Sequence, residues 1–110
     1  MDACQVNVAT GSREEADRIA DALLGPRLAA CVQVVGPVES RYWWDGSLES
    51  GTEWLCLAKT RTGLLDRVID AVRTVHSYDT PEVIATPIVG GDPAYLAWLA
   101  NETSGAPGGT

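Results

Sequence analysis

Basic residues are scarce in this chain: 8 lysines and arginines stand against 15 aspartates and glutamates, for a formal net charge of −7. Phosphate recognition is led by Lys and Arg, so this balance excludes nucleic acid and anionic membrane as expected partners. Long apolar runs are also missing, and none approaches the roughly 20 residues that a membrane span needs. Met1-Asp2-Ala3-Cys4-Gln5 lacks the basic start and apolar stretch of a signal peptide. Cysteine is limited to Cys4, Cys31 and Cys56, an odd number without metal-type spacing, each in an apolar, strand-like setting. Reduced, inert core thiols and a cytoplasmic location are the expectation.

Catalytic patterns are absent as well. His76 is the single histidine, which leaves little room for a triad, and no Ser or Cys sits in a nucleophile elbow. Thr10-Gly11-Ser12 has neither the glycines nor the lysine of a phosphate loop, and no CxxC, HExxH or EF-hand pattern occurs. Neither an enzyme nor an organic cofactor is expected.

What is present is the pattern of one globular domain. Hydrophobic residues make up 45% and charged residues 21%, values of a chain that folds around a core. At 110 residues it can bury roughly 65% of the surface its unfolded form exposes. The domain is read over residues 1–103. The tail 104–110, Ser-Gly-Ala-Pro-Gly-Gly-Thr, has no apolar anchor and is expected to be mobile. No internal repeat or linker divides the domain.

A first strand is predicted from Cys4 to Ala9, where Cys4, Val6 and Val8 alternate with Gln5 and Asn7. Ser12-Arg13-Glu14-Glu15 reads as a capping box, Ser12 and Glu15 serving each other's backbone donors. Ala16, Ile19, Ala20, Leu23 and Leu24 then form one apolar helix face, which Gly25-Pro26 should stop through a left-handed glycine. A second strand runs from Cys31 towards Trp44, with a bulge or bend expected at Gly36-Pro37. Asp45-Gly46 marks a two-residue type I′ hairpin, and the return strand spans Glu49 to Thr60. Thr62 is read as the cap of a second helix carrying Leu65, Val68, Ile69, Val72 and Val75. A short strand, Val83 to Val89, follows. Asp92-Pro93 then opens a short third helix with Tyr95, Leu96, Trp98 and Leu99.

The order β-α-β-β-α-β plus a short C-terminal helix predicts an α+β, ferredoxin-like sandwich with a long β-hairpin. Its return strand is apolar on both faces, with Leu55 and Leu57 on one side and Trp54, Cys56 and Ala58 on the other. Two helices cover only one face of such a sheet, so self-association through the open face or the hairpin is expected.

Chemistry concentrates in His76-Ser77-Tyr78-Asp79-Thr80-Pro81-Glu82, where a helical pattern gives way to an extended one. His76, Asp79 and Glu82 could offer imidazole nitrogen and carboxylate oxygen to a divalent cation. A lone histidine near a helix end, however, more often caps the last carbonyls or is buried in a hydrogen bond. Lys59, Tyr78, Trp44 and Trp98 form a second candidate set, either lining a ligand cleft or packing at a subunit contact. The Lys59 stem could also lie along apolar surface, or its ammonium could pair with Glu82 or an anionic ligand.

Five stretches together resemble the CutA divalent-cation tolerance family. They are Leu28-Ala29-Ala30-Cys31-Val32, Tyr42-Trp43-Trp44-Asp45-Gly46, Leu57-Ala58-Lys59-Thr60, the His76–Glu82 loop and Tyr95-Leu96-Ala97-Trp98. The resemblance implies a tight homotrimer joined through long hairpins and sheet edges, and a role in tolerance of copper or other divalent ions. It implies a metal role for His76 and Glu82. Some members carry a thiol where this chain has Ala9, and many have His-Pro-Tyr where it has His76-Ser77-Tyr78. These departures point away from a tight Cu(I) site and towards weaker Cu(II) or Zn²⁺ binding. The architecture is similar to that of PII-type signalling proteins, whose ligands sit between subunits. A trimeric small-molecule or protein-binding scaffold is therefore the alternative.

Overall fold

A computed structural model describes residues 2–105. Its elements follow in the order β1 (Ala3–Thr10), α1 (Arg13–Leu24), β2 (Cys31–Trp44), β3 (Ser47–Arg61), α2 (Leu65–Val75), β4 (Val83–Ile88) and α3 (Pro93–Thr103). The four strands form one sheet in the order β2-β3-β1-β4, with every neighbouring pair antiparallel. This is the ferredoxin-like α+β arrangement that the sequence pattern predicts.

Strand alternation decides which residues reach the core. Cys4, Val6 and Val8 of β1 lie opposite Thr60, Ala58 and Cys56 of β3. They pack against Ala16, Ile19 and Leu23 of α1 and Val68 and Val72 of α2. Each large apolar side chain fully buried here contributes roughly 1.5–3 kcal/mol. Cys4 and Cys56 are buried and free, and desolvation raises both thiols, Cys56 to about 11. These two are core thiols, as the sequence suggests, whereas Cys31 is only partly buried.

Three local details differ from the sequence reading. Gly25 is right-handed, at φ −53°, and the left-handed residue is Arg27 at φ 60°. The N–H groups of Leu28 and Ala29 both fold back onto the Leu23 carbonyl, so the reversal falls just before Leu28. Thr62 does not cap α2. It opens a 3₁₀ turn, Thr62–Leu64, and the helix begins at Leu65 without a side-chain cap. Glu15 reaches back to the N–H of Gly11, not to that of Ser12, although Ser12 Oγ does accept from Glu15 N.

The second face of the sheet is covered in part by the chain itself. Arg61 shares a face with its partner Ala3 and donates to the hydroxyl and carbonyl oxygens of Thr103 at 3.0 and 2.8 Å. Leu99 and Thr103 of α3 are fully buried. The rest of that face stays open, with Val35 and Ile84 among its exposed apolar side chains.

The hairpin outgrows the sheet. β1 pairs with β3 only as far as Trp54, whereas β2 and β3 continue together to Trp44 and Ser47. The turn is left-handed at both Asp45 (φ 49°) and Gly46 (φ 78°), as the type I′ signal requires. The expected irregularity falls between Val35 and Val38. There, a Cβ on Gly36 would come within 2.5 Å of the Trp54 ring, so only glycine lets the indole lie against the strand. The predicted tail lies outside the described residues beyond Gly105.

Candidate functional site

Where the projecting ribbon leaves the sheet, it faces the loop after α2 across a cleft of about 600 Å³. Ala9 at the end of β1 lines its base, Tyr42 and Trp44 line the ribbon side, and Tyr78, Asp79 and Glu82 line the loop side. Glu53 from β3 joins them.

His76 holds this loop from beneath. It is the C-cap of α2, its backbone N–H bonding to the Val72 carbonyl. The side chain has no exposed surface. β4 stops at the pair Val8–Val83, and the imidazole Nε2 takes the next carbonyl, that of Ala9, at 2.7 Å. Because a carbonyl only accepts, Nε2 carries the hydrogen. Nδ1 is then the acceptor for the Tyr78 N–H at 3.0 Å, so the two bonds together select one neutral tautomer.

Glu15 braces the same loop from the other side. Its carboxylate is buried and accepts from the N–H groups of Gly11 at 3.2 Å and Ser77 at 2.8 Å. Burial raises its pKa, but the bonds from Ser77 and Gly11 together outweigh burial and hold the carboxyl below its usual range. The sequence showed Glu15 only as half of a capping box. Its bond to Ser77 joins residues far apart in the chain, and no local pattern marks it.

Tyr78 lies across the His76 ring, with centroids 4.7 Å apart. It passes close to Gly11, where a Cβ would meet the phenol oxygen at 3.0 Å. The hydroxyl donates to Glu53 at 3.2 Å. Burial, then the Glu53 charge, pushes the phenol up to about 12, so it is neutral at physiological pH.

The candidate residues therefore separate. Asp79 and Glu82 line the cleft, as do Trp44 and Tyr78, whereas the His76 ring faces inward with both nitrogens engaged. Among the described residues, no three His, Cys, Asp or Glu side chains come together as a metal-holding group. The set expected from the sequence, His76 with Asp79 and Glu82, is not assembled as a chelate within the subunit, because tertiary hydrogen bonds claim the imidazole. Lys59 and Trp98 also lie away from the cleft. Lys59 donates to Gln33 rather than pairing with Glu82, and Trp98 stacks on Tyr95 of α3 at 5.4 Å.

Comparison with known proteins places this architecture. The sequence model described as CutA1 divalent ion tolerance protein matches residues 4–102. The chain is 45% identical over 98 residues to Protein CutA 1, chloroplastic, of Oryza sativa, covering 89% of this chain and 55% of that protein. It is 42% identical over 94 residues to the divalent-cation tolerance protein CutA of Archaeoglobus fulgidus, covering 86% and 91% of the two. The chain thus spans about half the length of the plant relatives and most of the archaeal one. The crystal structure of CutA1 from Oryza sativa superposes with a TM-score of 0.91 at 43% identity, covering 94% of each chain. The Archaeoglobus fulgidus structure, described as a periplasmic divalent cation tolerance protein, gives 0.89 at 39% identity, over 92% of this chain and 98% of that one. With its hairpin, its loop after α2 and nearly its whole length matched, the chain belongs to the CutA1 divalent ion tolerance family.

Proposed function

We propose that this chain acts in divalent-cation tolerance as a homotrimer that binds copper or a similar divalent ion weakly and reversibly at the cleft. The carrying observation is that Glu53, Asp79 and Glu82 line one cleft in a chain of net charge −7. Carboxylate oxygens with free access suit exchangeable binding, and the Ala9 position supplies no thiol to tighten it. Asp79 and Glu82 meet the ion first. His76 joins them only by giving up the Ala9 carbonyl or the Tyr78 N–H. The free thiols Cys4, Cys31 and Cys56 support a cytoplasmic setting.

Calorimetric titration with Cu²⁺ and Zn²⁺ tests the site. The Asp79→Asn/Glu82→Gln double variant should lose about tenfold or more in affinity, about 1.4 kcal/mol. Equal affinity in native and double-variant protein would overturn it. In a His76→Asn variant, a further loss assigns imidazole to the bound ion, and no loss leaves it a purely structural ring.

The trimer is supported by apolar surface that α3 leaves uncovered. Trp43 is 73% exposed, Leu48 62% and Ile84 55%, on the hairpin and on the open sheet face. Exposed groups of this size ordinarily mark association. A second reading, a small-molecule scaffold resembling PII proteins, is favoured by the cleft's volume of about 600 Å³, which exceeds what an ion needs.

A further inference from the structure

The cleft has two properties that ion binding by itself does not use. Its volume, about 600 Å³, falls within the range of small-molecule sites, whereas each water of a hydrated ion occupies only about 30 Å³. Its walls also include three aromatic side chains, Tyr42, Trp44 and Tyr78, beside three carboxylates. Trp44 is 60% exposed, so its indole is not absorbed into the subunit core.

We propose that the cleft takes an organic ammonium cation, its alkylated nitrogen held against Tyr42, Trp44 and Tyr78 and its charge balanced by Glu53, Asp79 and Glu82. This rests on the cleft being the binding site, as in the scaffold reading, and does not require an ion to bind there. The chemistry follows from the lining. Aromatic faces carry negative potential and attract alkylated ammonium groups, most strongly where water is excluded. Carboxylates supply the countercharge and select against phosphates and other anions. Arg41 is the one cationic side chain among the described lining residues, and its Nε donates to Glu39 at 2.8 Å, which offsets its charge. The overall charge of −7 adds a field that gathers cations.

Tyr78 is the anchoring wall. Its hydroxyl is held by Glu53 and its ring is backed by His76, so the aromatic face is set in place before a guest arrives. The phenol's high pKa keeps that ring neutral, and its hydroxyl remains a donor to Glu53.

The test is ¹H–¹⁵N NMR titration of the native protein with choline, with its uncharged isostere 3,3-dimethylbutanol, and separately with Zn²⁺. Choline should shift the amides of Tyr42, Trp44, Tyr78 and Glu82 saturably, and the neutral isostere should bind about tenfold or more weakly. Trp44→Leu and Glu82→Gln should each weaken choline binding by about tenfold, with spectra away from the cleft preserved. Equal binding of the isostere would overturn charge recognition, and choline shifts confined to other surfaces would overturn the site. If choline causes no shifts while Zn²⁺ moves Asp79 and Glu82, the organic-cation proposal falls and ion binding stands. Choline binding without any Zn²⁺ response upholds the proposal and removes the ion from the cleft.

Discussion

The carboxylate of Glu15 lies 2.8 Å from the backbone nitrogen of Ser77, tying the first turn of α1 to the loop that follows α2. Its other oxygen holds the N–H of Gly11, so one buried side chain fixes both the entry to α1 and the wall of the cleft. On the other side of the loop, His76 ties the same wall to the end of β1 through the Ala9 carbonyl. The cleft loop is therefore positioned by two inward-facing side chains, while Asp79 and Glu82 remain free to meet a ligand.

Glu15→Gln should destabilise the fold by about 1–3 kcal/mol, because the amide NH₂ must face one of the two N–H donors. The native carboxyl titrates below its usual value of about 4.3, so its contribution is complete above that pH and is lost as pH falls through the depressed folded value. Urea denaturation across a pH series should show the gap between native and variant closing in acid. A gap that does not change with pH would remove the ionised carboxylate from this role.

His76→Ala should leave the Ala9 carbonyl and the Tyr78 N–H without their partner, at about 1–3 kcal/mol for each group that stays buried. The loss should be the same with and without EDTA, since the ring acts through hydrogen bonds to the backbone. Melting temperatures measured both ways decide this. An effect that disappears in EDTA would make the ring's contribution metal-dependent.

Gly36→Ala should cost about 1–3 kcal/mol by pressing a methyl group into Trp54. The cost should fall when Trp54 is replaced by Leu, which a double-mutant cycle on thermal stability would read directly. Additive losses would mean that the indole is not what demands glycine there.

Trp43→Glu and Ile84→Glu address the hairpin and the open face. Each side chain is more exposed than not, so neither change should disturb the subunit core. Light scattering should give a trimer mass for the native protein and a lower mass for the double variant. A monomer mass for the native protein at micromolar concentration would overturn the trimer.

Much of this architecture was readable along the chain because the signals are local. Alternation of Cys4, Val6 and Val8 announced a strand with one buried face, and Asp45-Gly46 announced its hairpin through a need for two left-handed residues. Asp92 was identified as the cap of α3, and its carboxylate does accept from Tyr95 N at 3.0 Å. Misreadings arose where distant segments compete for a group. Gly25-Pro26 does stop α1 at Leu24, but Gly25 is not left-handed: the fold-back of Leu28 and Ala29 onto Leu23 places the reversal at Arg27. The second sheet face stays largely open, as expected, but the reach of α3 over one end of it, through Arg61 and Thr103, was not foreseen.

By itself the sequence determined the order of elements, the length and turn of the hairpin, and the loop in which the polar chemistry collects. Periodicity and backbone preference act over a few residues, and they are written wherever those residues stand. Which way His76 points was decided only by tertiary structure. Its imidazole reaches a carbonyl 67 residues away, and Glu15 reaches Ser77 across 62. Such bonds depend on where β1 ends relative to β4 and how α1 lies beside α2. The same packing made one candidate ligand, His76, a buried brace beside Glu15 and left Asp79 and Glu82 on the wall of an acidic, aromatic-walled cleft.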